Sequence, residues 1–349
     1  MRVLSCRRKS AWAVVAMAVL LSLTGCAGMS SDLHNVTPVT STSVPSNPLP
    51  SPLYVTYVNH VHLAKDYLPY DSKSLQLLDE SGAQNLLVTL EALRSILDKF
   101  GMKATWNPVY GVSRGLCSFE GADHIFRRLV DSNHEVGVHF HGTQDFGRAV
   151  QSLRRGCGIS PTNISGLLTH ANPANAVRRS VMQGISVAPI TFSSSGLAND
   201  CPATPPRENT MHSETGNWMY SWKPDYRQGE LCRNDSTSDF TFVDHGDMSW
   251  TGLAGNQQRD LFSEADFAAL KQEFDAALAF VERERPDRVV SWAFVTHPHE
   301  FMRGKKGSYG PDRQTLGLFE AFLSYVKQKE VAGRVEFTTI SGIAGLQSS

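Results

Sequence analysis

Along the chain, short apolar runs rich in β-branched and aromatic residues alternate with longer stretches whose apolar residues recur every three or four positions. The short runs fall at residues 54–61, 103–107, 135–141, 164–170, 185–192, 240–243, 289–296 and 335–339, lengths suited to buried strands. In residues 84–100 the side chains of Leu86, Leu90, Leu93, Leu97 and Phe100 form one helical stripe, followed by Gly101 where a C-terminal cap belongs. A second helix is expected from Ser263, with Asp266 completing a capping box. Phe267, Leu270, Phe274, Leu278 and Val281 form its buried face, and Pro286 ends it. A third covers residues 316–326. Strands alternating with helices predict an α/β fold, a parallel sheet under helices, open or closed into a barrel. The polar stretch 199–238 breaks the rhythm and reads as an excursion pinned by a disulfide rather than as core.

The first residues obey a different pattern. Arg2, Arg7, Arg8 and Lys9 precede an apolar run at residues 11–23, and Leu23-Thr24-Gly25-Cys26 closes it. A basic start, a short apolar run and small residues before a cut describe an export signal. The run is shorter than the roughly 20 residues a spanning helix needs. The tetrad resembles the bacterial lipobox, which implies cleavage after residue 25 and lipidation of Cys26. Residues 26–52, rich in Ser, Thr, Pro and Asn, then read as a flexible tether. One domain is expected over residues 53–349, a normal size for an α/β barrel. Lipid would hold it to the cell envelope on the periplasmic side. Ala27 lacks the aspartate that resembles an inner-membrane retention signal, so the outer membrane is favoured.

Composition narrows the function. With 33 basic and 34 acidic residues there is no excess charge of the kind nucleic-acid binding needs, and no nucleic-acid partner is expected. Beyond Cys6 and Cys26, four cysteines remain, an even number that in an exported protein favours two disulfides. The preferred pairs are Cys117 with Cys157 and Cys201 with Cys232, out of three connectivities. Nothing in the sequence sets the oligomeric state.

The chemistry-bearing feature is a recurrence at strand ends: His60 and His62, His139 and His141, His297 and His299. Residues two apart on a strand point the same way, so each pair aims two imidazoles together. In parallel α/β folds the carboxyl ends of the strands gather the ligand site. Neutral imidazoles on one mouth suit a transition metal with an open position. His170 ends another strand candidate, and Asp244-His245-Gly246-Asp247 follows a further one.

These residues carry a resemblance. Asn133-His134-Glu135-Val136-Gly137-Val138-His139-Phe140-His141 is similar to the H-E-[IVL]-G-x-H segment of polysaccharide deacetylases of the NodB homology type. Upstream, 101–106 (Gly-Met-Lys-Ala-Thr-Trp) resembles their G-x-x-A-T-F strand, and 294–300 and 335–339 resemble their last two strands. The resemblance implies a distorted (β/α)7 barrel and a metal-dependent hydrolase that removes acyl groups from envelope or exported polysaccharide, metal-activated water attacking the acyl carbonyl. It implies a divalent metal, Zn first, and a carbohydrate polymer as substrate. By motif match His139 takes the first metal-histidine position and His297 the late catalytic one.

The departures set the rest of the site. The family's first strand ends T-F-D-D, whereas this one reads Thr56-Tyr57-Val58-Asn59-His60-Val61-His62. The second metal histidine of the family falls where this chain has Thr143. Metal ligands are therefore expected among His60, His62, His139 and His141, with His297, Glu300 and Asp244 as the catalytic set and Asp247 as a further carboxylate. Glu135 reads as a structural carboxylate. Asn107, His170, Trp218 and Trp222 are substrate-binding candidates, the tryptophans and Tyr220 by stacking on sugars. The runner-up is a non-catalytic sugar-binding or envelope-assembly lipoprotein on the same barrel, since the first-strand aspartates are absent. A glycoside hydrolase, needing two carboxylates about the scissile bond, ranks third.

Overall fold

The computed structural model describes residues 51–63, 70–71, 76–77, 80–140, 146–167, 172–190, 220–244, 246–247, 261, 263–305 and 308–347. Residues 1–48 form a separate unit from 49–349, and the expected signal segment, Cys26 and the expected tether up to residue 50 lie outside the described residues.

The strands that matter for the site are β1 (Leu53–Val61), β2 (Ala104–Pro108), β3 (Glu135–Val136), β4 (Val138–His139), β5 (Ile164–Ser165), β6 (Val187–Ile190), β7 (Thr241–Asp244), β8 (Gly246–Asp247), β9 (Ser291–Thr296) and β10 (Val335–Phe337). Nearly every residue of β1 is buried, as befits a strand covered on both faces. It pairs in parallel with β9, β10 and β2. β2 continues to β3, and β8 lies outside β9, giving a six-stranded parallel sheet. Two more parallel pairs, β4 with β5 and β6 with β7, stand as separate two-stranded sheets. The fold is thus mixed α/β with a parallel sheet.

The run 135–141, expected as one strand, is broken at Gly137. Its N–H donates to Trp106 O at 2.9 Å, and the next, Val138 N–H, to Asn163 O at 3.0 Å. The chain therefore leaves β2 and takes up β5 within one residue. Only Gly fits there, because a Cβ would stand 2.3 Å from Asn163 Oδ1. The 164–170 run also shortens, to Ile164–Ser165, because Gly166 turns the backbone at φ +86°.

Eight helices are used below: α1 (Glu80–Lys99), α2 (Tyr110–Glu120), α3 (Ile125–Asp131), α4 (Phe146–Gln151), α5 (Pro173–Met182), α6 (Glu264–Glu284), α7 (Arg313–Val331) and α8 (Ile340–Leu346). The α1 stripe is fully buried at Leu86, Leu90, Leu93 and Leu97. α6 opens on the expected capping box, with Ser263 and Asp266 bonding reciprocally, and closes at Arg285 in left-handed conformation just before Pro286. Among the described residues no helix is long and apolar enough to cross a membrane.

The excursion at 199–238 is only partly one. Its described portion, 220–238, buries Tyr220, Trp222 and Tyr226, and Trp222 bridges to Phe242 of β7. Large aromatics stabilise a segment only where packed, and here they join the core. Cys117 and Cys157 form a disulfide. The Cys201–Cys232 pair lies outside what the structure describes.

A second apolar cluster sits on the other face of the strands. Val58, Val187, Val243 and Val295, one from each of four strands, pack with Ile340, Ile343 and Ala344 of α8. His60 and His62 follow Val58 at two-residue steps, and His297 follows Val295. Alternation sets His60 on the valine face near the carboxyl end of β1, while His62 and His297 lie just past the ends of β1 and β9, the His62 N–H turning back to His60 O at 2.8 Å.

Candidate metal centre

Five imidazoles from three strand ends meet at one place. Ring centroids lie 4.2 Å apart for His60 and His139, 5.2 Å for His62 and His139, and 5.4 Å for His60 and His297. They lie 4.7 Å apart for His62 and His297, 5.2 Å for His297 and His299, and 6.3 Å for His62 and His299. All five residues are buried.

Their placement follows from the strands below them. The Asn59 amide donates to Tyr57 Oη at 2.9 Å and to Thr296 Oγ1 at 3.0 Å, and those two hydroxyls lie 2.5 Å apart. Asn59 and Thr296 are also register partners. This knot locks β1 to β9 one residue before each histidine pair begins, and burial pushes the Tyr57 phenol well above its ordinary pKa.

Most of the rings are held at Nδ1. Ser165 Oγ lies 2.7 Å from that atom of His139, and Glu300 Oε1 lies 3.3 Å from that of His297. The Nδ1 atoms of His62 and His299 reach Leu63 O and His62 O at 3.5 Å, the outer limit of a hydrogen bond. Glu300 holds His297 twice, since its Oε2 accepts the His297 backbone N–H at 2.6 Å. A carboxylate or carbonyl on one ring nitrogen is the usual way a histidine presents the other nitrogen to a metal.

The spacing tests whether an ion fits. Two imidazoles on one tetrahedral Zn²⁺, with Zn–N near 2.0 Å, place their centroids about 5 Å apart. The pairs His62–His139, His62–His297, His60–His297 and His297–His299 meet this. His60 and His139 are stacked too closely, and His62 and His299 stand too far apart. Ring spacing therefore allows pairs of these imidazoles, but not all five, to share an ion, and among the described residues His60, His62 and His139 do not form a trio with ligand atoms within 4.8 Å of one another. The ligand atoms of His297, His299 and Glu300 do lie within 4.8 Å of one another. Cys117, His124 and Cys157 meet the same criterion, but the two sulfurs are joined in a disulfide and are not metal ligands.

The other expected site residues divide. Asn107 stands opposite His60 in the strand register, yet it is fully buried and donates to Val138 O and Asn163 Oδ1. It braces the strands. Trp222 is a core residue whose indole N–H donates to Leu231 O at 2.9 Å. Tyr220 is also buried, with the Arg288 guanidinium 3.3 Å from its ring centroid. The backbone of Asp244 ends β7, and that of Asp247 runs beside Val295 of β9. His141, His170 and Trp218 lie outside the described residues. Glu135, at the opposite end of the strands, accepts from Thr105 Oγ1, Thr162 Oγ1, Asn163 Nδ2 and both the backbone N–H and hydroxyl of Ser341. It is a structural clasp, as expected. Ser165 was not legible as a site residue, since a serine in a short apolar run carries no signal of its own. His299 was visible only as the second member of its pair.

No protein-family model and no curated protein sequence matches the chain. Solved structures do. A candidate polysaccharide deacetylase from Mycobacterium smegmatis superposes with a TM-score of 0.54 at 14% identity, covering 90% of this chain and 95% of that one. Another, from Pseudomonas aeruginosa, gives 0.52 at 14% identity over 88% and 97%. The PuuE allantoinase gives 0.52 at 14% identity over 89% and 97%. The chain shares the fold of these structures. At such identity the likeness carries the fold and leaves the chemistry to the site.

Proposed function

We propose that this protein is a metal-dependent hydrolase that removes acyl groups from an envelope or exported polysaccharide. The observation that carries the reading is the convergence of five imidazoles at the carboxyl ends of parallel strands, on the fold of polysaccharide deacetylases. His62 and His139 are the proposed ligands, joined by His141, while His60, stacked on His139, is left to the edge of the site; Zn²⁺ is the ion such nitrogen donors suit best. When bound, the ion would supply Lewis-acid polarisation of the acyl carbonyl and a water of lowered pKa. The residues provide the rest. Glu300 holds the Nδ1 proton of His297 and steadies its charge when the ring is doubly protonated. His297 is thereby set to pass its Nε2 proton to the departing sugar oxygen or nitrogen. Asp244 is the proposed base. The deacetylase barrel belongs to this reading, as do export, the lipid on Cys26 and outer-membrane attachment. The Cys117–Cys157 disulfide supports an oxidising compartment.

One observation favours a second reading, glycan binding without turnover. Where the resembling family carries two aspartates, β1 carries Val58, packed in the valine cluster, and Asn59, committed to the knot with Tyr57 and Thr296. Acetate release from O- and N-acetylated glycans by the purified protein separates the two. Release that a chelator abolishes and Zn²⁺ restores is expected. Glycan binding without release, unaffected by chelator, would contradict the enzyme and favour the binding protein.

A further inference from the structure

The structure assigns to Ser165 the role of positioning residue for His139: its hydroxyl fixes the tautomer in which the ring lone pair stands on Nε2. His139 and Ser165 are direct register partners on β4 and β5, and both are buried. Ser165 Oγ lies 2.7 Å from His139 Nδ1 and 3.4 Å from Val138 O. A hydroxyl has one proton and two lone pairs. Val138 O can only accept, so the one order that makes both contacts hydrogen bonds sends the Ser165 proton to Val138 O and has the Ser165 oxygen accept the Nδ1 proton of His139. The chain of donors is complete in that order, and it places the ring's electron pair on Nε2. Ser165 thus does for His139 what Glu300 does for His297.

The contact is built in by the backbone. Gly137 sits before it and Gly166 after it, and at each a Cβ would strike the residue flanking the partner strand, 2.3 Å from Asn163 Oδ1 and 1.9 Å from Phe140 O. Phe140 N–H donates to Ser165 O at 3.3 Å, and Val138 N–H to Asn163 O at 3.0 Å. Two glycines therefore let the two strands close on each other with the serine hydroxyl under the imidazole. Nothing in the Ser165 side chain itself is offered to solvent, so its polar group serves the ring and the carbonyl.

The tautomer claim stands on this geometry, and its effect on metal binding rests on the proposed function above. Two measurements keep them apart. Imidazole ¹⁵N chemical shifts of the full-length, metal-free protein labelled at histidine, with His139 assigned by comparison with His139→Gln, read the tautomer directly. A neutral ring protonated at Nδ1 is expected, and one protonated at Nε2 would overturn the assignment even if no serine variant folds. Zn²⁺ titration then compares the wild type with Ser165→Ala and Ser165→Thr. Loss of an outer-shell partner costs about 10- to 100-fold in metal affinity, so Ser165→Ala is expected to weaken Zn²⁺ at least 10-fold and Ser165→Thr, which keeps the hydroxyl, to restore it. Unchanged affinity in a folded Ser165→Ala would overturn the role. Absence of Zn²⁺ binding in the wild type would sink the metal reading alone, the ¹⁵N shifts still deciding the tautomer.

Discussion

His134, at the opposite end of the strands from the site, shows how a buried histidine serves the fold. Its Nδ1 accepts the Ala104 N–H at 3.1 Å, its Nε2 donates to Asp98 Oδ1 at 3.1 Å, and burial lowers its pKa against the opposing pull of Asp98. Protonation would cost the Ala104 bond at the start of β2. An unfolded imidazole, with pKa near 6.5, takes a proton more readily than this folded one, so unfolding gains protons as the pH falls. The stability His134 contributes is therefore complete above about pH 6.5 and is lost as the pH falls toward the lower folded value. Urea unfolding of wild type and His134→Gln is expected to show a difference that narrows from pH 8 to pH 5.5. A difference constant with pH would refute the assignment. At this scale the sequence revealed which histidines matter through their pairing, but not what steadies them. Glu135 and His139 share the same alternation along the chain. What separates clasp from site is the break at Gly137, which leaves Glu135 at the start of β3 and His139 at the end of β4.

At the scale of elements, the Cys117–Cys157 bridge closes a loop of 40 residues that runs from α2 through α3, β3, β4 and α4. It thus encloses His139 with the helices that pack behind it. Loop entropy puts its contribution at about 4 kcal/mol. The paired replacement Cys117→Ser with Cys157→Ser is expected to lower unfolding stability by roughly 2–4 kcal/mol, and no loss would show that native strain cancels the gain. Cysteine parity pointed to disulfides, but this pair was a preference among three connectivities that sequence could not decide. The long amphipathic helices were readable, because α1, α6 and α7 keep their apolar stripe over several turns. The short helices α2 to α5 and α8 were not, since two or three turns give too few repeats to stand out from a strand or loop. The partner switch at Gly137 was equally hidden. Glycine permits it, but only β5 arriving alongside makes it necessary.

For the molecule as a whole, the parallel sheet was legible in outline, but not the order of its strands. Each expected strand of the main sheet appears within a few residues of its position, from β1 to β10. What sequence could not supply was which residues the tertiary packing would consume. Asn107, Trp222 and Tyr220 have the chemistry of binding residues and are spent on packing instead. Asn59 occupies a carboxylate's place in the resembling family and is spent on tying β1 to β9. The histidines survive that test, because they gather at and just past the carboxyl ends of their strands. The central claim is that they hold a metal. Metal content of the purified full-length protein after Zn²⁺ loading and desalting, compared with a folded His62→Ala, His139→Ala double variant, tests it most directly. The account predicts stoichiometric zinc in the wild type and its loss in the variant. No retained metal in the wild type, or equal metal in both proteins, would contradict it.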